Sequence, residues 1–340
     1  MNKVDTIKEI WQKLESEGTD GLVKRALDIS SCLKTFCTYR FPEKYIGIAF
    51  SFHQDILIDI SHFKDLSEMN VSLFKDASFP ESKLLLIQLT NRETRVNDIF
   101  ASICGNIVHS IREVKSEKEG VRLIITQMRK WRDIFSKRRN LVLSVQEQQG
   151  LYGELFFFRK LLLLPIDKVA TTSLWVGPNM APKDFQSDMW AVEVKTTTAN
   201  GRSGISINGE LQLDESNVEK LFLYNLIVEV LQQDGQTLPE IITNIRQLLI
   251  GENKALDAFE NKLILSGYFN IDEEAYKDRH YRIRKEQYFQ VKDEFPRIKK
   301  HDLRLGVSDV KYNISLNCSI DNIVVERNVI STIESYEGNK

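Results

Sequence analysis

Three residues near the middle of the chain have the types and spacing to hydrolyse a phosphate ester: Asp184, Glu193 and Lys195, in the stretch MAPKDFQSDMWAVEVKTTTANG. From Met189 to Thr198 the pattern alternates like a strand, with Trp190, Val192 and Val194 on one face and Glu193 and Lys195 on the other. The short QSD turn upstream predicts a hairpin that brings Asp184 close to Glu193. Carboxylates in close approach repel, and each raises the other's pKa unless a cation lies between them. Hard oxygen donors with few dedicated protein groups suit Mg²⁺, with Mn²⁺ as a substitute, an ion that keeps waters and takes phosphate oxygens. The carbonyl of Val194, between the two polar side chains, can turn toward the same ion. Lys195 would then stand near a metal-bound water, to orient it, assist its deprotonation or offset charge on the phosphorane. The same E-x-K pair also occurs as a solvent-exposed ladder, and D-x8-E-x-K alone matches many unrelated sequences.

These residues need elements to hold them. Ser144, three residues before Glu147, is a capping-box signature for a helix running to Leu164, where Pro165 ends it. On that helix Leu151, Glu154, Phe158 and Leu161 share a face. A carboxylate on an apolar stripe is costly unless paired, hydrogen-bonded or metal-bound. At the stripe's edge Glu154 would instead reach solvent or Arg159. Strands are expected near KDFQS, MWAVEVKTT and GISING, with a longer one over 220–232 and a late one in YNISLNCSI. A helix should begin after Thr237, with Pro239 in its first turn, and another should span ALDAFENKLILSGYF. This is an α/β core over 141–340. Before it, an amphipathic N-terminal helix, strands at 45–52 and 82–91, and helices from Val96 and over 121–137 outline an α+β domain at 1–140.

At this point KDF…AVEVKTT, preceded by GLYGELFFFRKLL, resembles the PD-(D/E)XK nuclease superfamily. It is most similar to the PD-(D/E)XK-motif proteins of bacterial restriction and phage-defence gene clusters. The likeness runs from about Trp131 through INGELQLD, LPEIITNIRQLL, YFQVKDEFPRI and YNISLNC. Asp184 matches the motif's first acid, Glu193 the second, Lys195 the lysine, and Glu154 the acid often found on the preceding helix. Pro182 stands two residues before Asp184 rather than next to it, a departure at the motif's loosest element. The resemblance implies a restriction-endonuclease-like core, a central mixed sheet flanked by helices. It also implies a Mg²⁺-dependent endonuclease acting on double-stranded DNA, with catalytic residues Asp184, Glu193, Lys195 and Glu154, and metal held by Asp184, Glu193, Val194 and Glu154. The alternative is a non-catalytic DNA-binding or assembly subunit of a restriction complex, in which residues 1–140 dock partners or read DNA.

The DNA path would follow the basic tract YKDRHYRIRKEQYFQVKDEFPRIKKHDLRLG, with Arg279, Arg282, Arg284, Lys285, Arg297, Lys299, Lys300 and Arg304, or the shorter SKRRN with Lys137, Arg138 and Arg139. Interspersed acids such as Asp278, Glu286 and Asp293 fit a solvated face as well. Ser206 and Gln212 are candidate cleft-lining residues, and Thr196 and Thr197 could hold Lys195 or a phosphate oxygen. A symmetric homodimer would be the simplest way to cut both strands. With no Walker-type phosphate loop, any ATP-driven step would need a partner such as an ATPase, alongside a methyltransferase in a restriction complex.

Composition narrows the class. At 42% hydrophobic and 28% charged residues the chain has the mix of a soluble globular protein, and a net charge of −2 neither favours nor excludes nucleic acid. Cys32, Cys37, Cys104 and Cys318 lack CxxC spacing, which argues against a zinc site built from them and for reduced thiols in a cytoplasmic protein. The charged N-terminal helix does not read as a signal peptide, and no apolar run reaches the ~20 residues that span a bilayer.

Overall fold

The computed structural model describes residues 3–63, 68–90, 93–137, 142–179, 181–199 and 204–338. They form two units, Met1–Val142 with Phe269–Ile271, and Leu143–Tyr268 with Asp272–Lys340. The expected junction at 140/141 lies outside the described residues, as do Arg138 and Arg139 of the SKRRN tract. The short 269–271 segment joins the first unit although it is far away in sequence, which the local pattern gives no means of seeing.

The first unit contains α1 (Lys3–Glu17), β1 (Gly21–Ala26), β2 (Lys34–Phe41), β3 (Tyr45–His53), β4 (Met69–Lys75), β5 (Ser82–Leu89), α2 (Thr94–Ser110) and α3 (Glu117–Lys137). The strands form an antiparallel sheet in the order β1-β2-β3-β5-β4. At its centre Gly47 permits close approach: a Cβ there would lie 2.5 Å from Thr38 Oγ1 and 2.7 Å from the Ile87 carbonyl. The Gly47 carbonyl accepts from Trp11 Nε1 at 2.8 Å, which ties α1 to the sheet, and Trp11 stacks on Phe100 of α2. Cys37 and Cys104 are buried free thiols.

The second unit holds the candidate chemistry. Its elements are α4 (Val145–Leu162), α5 (Lys168–Leu174), β6 (Phe185–Gln186), β7 (Trp190–Thr198), β8 (Gly204–Ile207), β9 (Lys220–Leu231), β10 (Gln236–Thr237), α6 (Leu238–Leu248), α7 (Asn253–Leu265), β11 (His280–Gln290), β12 (Tyr312–Ser315), β13 (Ile323–Val324) and α8 (Glu326–Glu337). The main sheet runs β10-β11-β9-β7-β6, with β13 pairing β11; β8 and β12 form a separate pair. Only β7 and β9 run parallel among the described pairings, so the sheet is mixed and the class is α/β.

Two layers cover β7. On one face lies α4, which begins with the expected capping box: Ser144 Oγ accepts from the Glu147 amide, and Glu147 Oε2 accepts from the Ser144 amide. A Cβ at Gly153 would overlap Thr196 Oγ1, so this glycine lets the helix lie directly on the strand. Phe157 then packs 5.0 Å from Phe185 and 5.1 Å from Tyr224, centroid to centroid. The helix stops at Leu162, two residues before the expected end. On the opposite face Ala191, Leu221, Leu223 and Phe289 pack against Ile205, Ile207 and Ile314 from the β8–β12 pair. Each such fully buried apolar side chain contributes roughly 1.5–3 kcal/mol, enough together to carry a few buried polar groups between the layers.

Candidate active site

Glu193 and Lys195 share the face of β7 that carries Ala191. Glu193 is 1% exposed, and its Oε1 stands 2.7 Å from Lys195 Nζ. The ammonium also donates to Gln212 Oε1 at 3.1 Å, and that oxygen accepts from the Asn208 amide at 2.9 Å. Gln212 is therefore brought to the lysine. Ser206 is not: it alternates with buried Ile205 and Ile207 and faces outward. Glu193 Oε2 is buried without a hydrogen-bond partner among the described residues.

Asp184 reaches the site across the strand edge. Because β6 spans only two residues, its pairing with β7 ends at Phe185↔Val192. The carboxylate takes the next place on the ladder, Oδ2 accepting from the Val194 amide at 2.7 Å. The N–H and C=O of one strand residue face the same side, so the Val194 carbonyl opens on this same edge. The Asp184 backbone is pinned in turn, its carbonyl accepting from Val176 at 2.8 Å and Gly177 at 2.9 Å.

Glu154 arrives from α4. It does not reach out to Arg159; Trp175 Nε1 donates to its Oε2 at 2.8 Å. A Cβ on Gly177 would sit 3.0 Å from Asp184 Oδ1 and 3.2 Å from Glu154 Oε2. The two acids thus flank a cradle that only a glycine leaves open. Trp175 is held from behind by Lys262 of α7, whose Nζ donates to the carbonyls of Thr172 at 2.5 Å, of Ser173 at 3.3 Å and of Trp175. Burial pulls this ammonium down to about 7, and the three carbonyl acceptors offset part of that cost.

The electrostatics follow from one buried acid, Glu193, and two half-buried ones, Asp184 and Glu154, crowded around one bonded cation. Burial, then Asp184 and Glu193, push Glu154 well above the carboxylate range. Burial raises Asp184 against the pull of Lys195 and the Val194 amide. Burial and Asp184 push Glu193 up to about 8. Burial alone would lower Lys195, but Glu193 and Asp184 outweigh it and hold the ammonium above the ordinary lysine range. Ionising all three acids together is costly until more positive charge enters.

Among the described residues no three His, Cys, Asp or Glu side chains stand ready-assembled around a metal position. The donor set nevertheless fits a hard divalent cation. It consists of oxygens alone, it includes a buried carboxylate oxygen without a partner, and it borders the Gly177 cradle.

The remaining candidates separate. Thr197 Oγ1 turns to Asn225 Oδ1 at 3.2 Å, and Thr196 lies under Gly153 on the α4 face, away from Lys195. The basic tract does not form one surface. Residues 280–290 are a strand, in which Arg282 pairs with Glu229 at 2.6 Å and Asp234 at 3.0 Å, and Arg284 pairs with Glu229. Arg279 lies over the Tyr281 ring at 5.9 Å, and Lys285 is exposed. Arg297 and Lys299 converge on Glu215 at 2.7 and 3.2 Å, with Lys300 exposed nearby in sequence. Cross-strand acids thus compensate the arginines on β11, whereas the 297–299 segment lies in the electrostatic neighbourhood of the site: Arg297, Lys195 and Glu193 all act on Tyr312.

One residue of this neighbourhood was not among the candidates. Lys183, beside Asp184, is 4% exposed; burial lowers its ammonium, while Asp214, Glu193 and Glu215 pull it back up.

Residues 7–317 match the family model described as "Putative PD-(D/E)XK family member, (DUF4420)", and the chain belongs to that family. No curated protein and no solved structure gives a match. The matched span takes in most of both units, so the N-terminal sheet is part of what defines the family. No helix among the described residues is long and apolar enough to cross a membrane.

Proposed function

We propose that the protein is a Mg²⁺-dependent endonuclease hydrolysing DNA phosphodiester bonds, built on a restriction-endonuclease-like core and serving a restriction or phage-defence system. The observation that carries this reading is the meeting of buried Glu193, half-buried Asp184 and Glu154, and Lys195 at the edge of β7, with one Glu193 oxygen unpartnered. Asp184, Glu193, the Val194 carbonyl and Glu154 would hold the ion. When bound, Mg²⁺ supplies Lewis-acid polarisation of the phosphoryl group and a more acidic water.

The chain's own residues supply the rest. Held protonated by Glu193 and Asp184, Lys195 serves as a fixed positive charge and donor rather than as a base, which favours orienting the water and offsetting phosphorane charge. Gln212 fixes where that ammonium points. Trp175 keeps Glu154 aimed at the cradle. Double-stranded DNA is the substrate in this reading, a homodimer the simplest form for cutting both strands, and an ATPase or methyltransferase the expected companions.

The test is direct. Purified protein should nick or cut methylated or unmethylated plasmid or phage DNA with Mg²⁺ and not with EDTA, in the presence of its genomic neighbours if alone it is silent. DNA left intact under all these conditions would leave the assembly-subunit alternative standing instead.

A further inference from the structure

Between β11 and β12 the chain makes a long excursion, and residues 299–311 form its outer loop. Both ends of this loop are fastened to one short segment. On the outgoing side Arg297 reaches the Glu215 carboxylate at 2.7 Å and the Leu213 carbonyl at 3.4 Å, and Lys299 Nζ reaches Glu215 at 3.2 Å. On the return the Val310 amide donates to Glu210 Oε2 at 3.3 Å. Glu210 and Glu215 bracket Gln212, which accepts from Lys195 Nζ at 3.1 Å. The loop is therefore anchored on either side of the side chain that aims the cation of the candidate site.

The tip of the loop is a tight turn. The Val307 amide donates to the Arg304 carbonyl at 3.0 Å, and Gly306, third in the turn, has φ +91°, the type II pattern that glycine adopts without strain. Lower down, Asp302 accepts from the Lys299 amide at 2.8 Å and Asp309 from the Ser308 hydroxyl at 3.2 Å. What the turn presents is apolar: Leu305 is fully exposed and Val307 is 51% exposed. A leucine alone on a surface is ordinary. This one stands at the summit of a braced turn, with Arg304 exposed beside it and Lys300 and Lys311 exposed at the loop's two feet. The only acids in the loop are the two that brace it.

Cations around an apolar tip match duplex DNA: basic side chains meet backbone phosphates, while an apolar side chain between them enters the minor groove and parts a base step. Resting on the nuclease reading above, we propose that the Arg304–Val307 turn enters the minor groove beside the phosphate to be cut, with Leu305 as the wedge and Arg304 on a phosphate. A protein partner would also cover a leucine, but the flanking cations and the tie to Gln212 favour the nucleic acid. Because the loop's anchors bracket Gln212, a duplex gripped at the wedge is held in register with Lys195.

The experiment measures binding of full-length protein, in Ca²⁺ and over a salt series, to short duplexes that are either fully matched or carry one unpaired base. An unpaired base opens the stack in advance, so wild type should prefer the bulged duplex by roughly tenfold. Leu305→Ala should melt at the same temperature, since the side chain packs on nothing, and should lose that preference with its salt slope unchanged. Leu305→Met, still apolar, should keep the preference. Arg304→Ala should keep it too, but flatten the salt slope by about 0.9. A wild type without the preference, or a Leu305→Ala that retains it, overturns the wedge, and if wild type still cleaves with Mg²⁺ the nuclease reading stands. A wild type that neither binds nor cuts DNA overturns both.

Discussion

Trp175 donates to Glu154 at 2.8 Å, and the carbonyl of the same tryptophan accepts from Lys262, so the acid on α4 is steered from α7 through one indole. Lys262→Met should leave three carbonyls short of a donor and cost about 1–3 kcal/mol by urea unfolding. It should also weaken Mn²⁺ binding by loosening Glu154. Trp175→Phe, which keeps the packing and removes only the indole donor, should weaken Mn²⁺ with a smaller loss of stability. Unchanged metal affinity in both variants would confine this chain of contacts to folding.

Lys195→Ala removes a cation and leaves every acid in place. The protein should fold and bind Mn²⁺, with cleavage lowered by ~100-fold or more. Asp184→Ala should abolish cleavage by a different route, weaker metal binding, and calorimetry with Mn²⁺ distinguishes the two. Equal phage protection or equal DNA cutting by wild type and Lys195→Ala would defeat the catalytic assignment.

Glu193 sets a pH dependence. Burial and Asp184 hold it at about 8 against an ordinary 4.5. Between those values the folded protein keeps a proton that the unfolded chain has lost, so stability is fullest below the lower value and declines as pH rises through the higher one. Metal-free protein should therefore melt at lower temperature near about pH 8 than near about pH 5, and Glu193→Gln should flatten that slope. Metal entry expels the proton, so stabilisation by Mn²⁺ should be larger at the higher pH. The same gain at both values would mean that Glu193 is ionised throughout.

Gly177→Ala tests the cradle. Its methyl would stand 3.0 Å from Asp184 Oδ1 and 3.2 Å from Glu154 Oε2, tighter than ordinary contact. Mn²⁺ affinity should drop by roughly tenfold with little change in melting temperature, because the acids must part while the surrounding core is untouched. Full affinity would place the ion elsewhere.

Glu229→Gln tests the strand face of the basic tract. It would release Arg282 and Arg284 from their shared carboxylate. If that face meets DNA, sequence-independent affinity should rise and its salt dependence steepen by up to about one unit for each further phosphate neutralised. No change would assign those arginines to sheet pairing.

How far the sequence can be read depends on what makes each residue visible. β7 was legible because its alternation is regular, and the α4 start because Ser144 and Glu147 carry the whole signal. β11 was not: its register with β9 shifts between Ile283 and Lys285, which breaks the period of two, and its charges read as a DNA path or a solvated face. α5, with two threonines in seven residues, offers weak helix propensity; Asp167, accepting from Ala170 at 2.8 Å, starts it. Glu154 was seen as an inward acid, but its partner Trp175 is a long-range contact that no spacing announces. Lys183 was passed over because a lysine next to an aspartate looks like any surface pair, and burial is not written in local pattern.

The brevity of β6 has a further effect. A sheet margin with free amides invites another chain to add as a strand, the first step of edge-to-edge aggregation. Here the donor of Val194 is already taken by Asp184, and beyond it the Thr196 carbonyl accepts from Gln149 of α4 at 2.7 Å. An incoming backbone would have to displace a charge-assisted bond and bury its carbonyls against negative charge. The acids that await a cation therefore also act as gatekeepers, keeping the sheet closed to strands while leaving it open to ions.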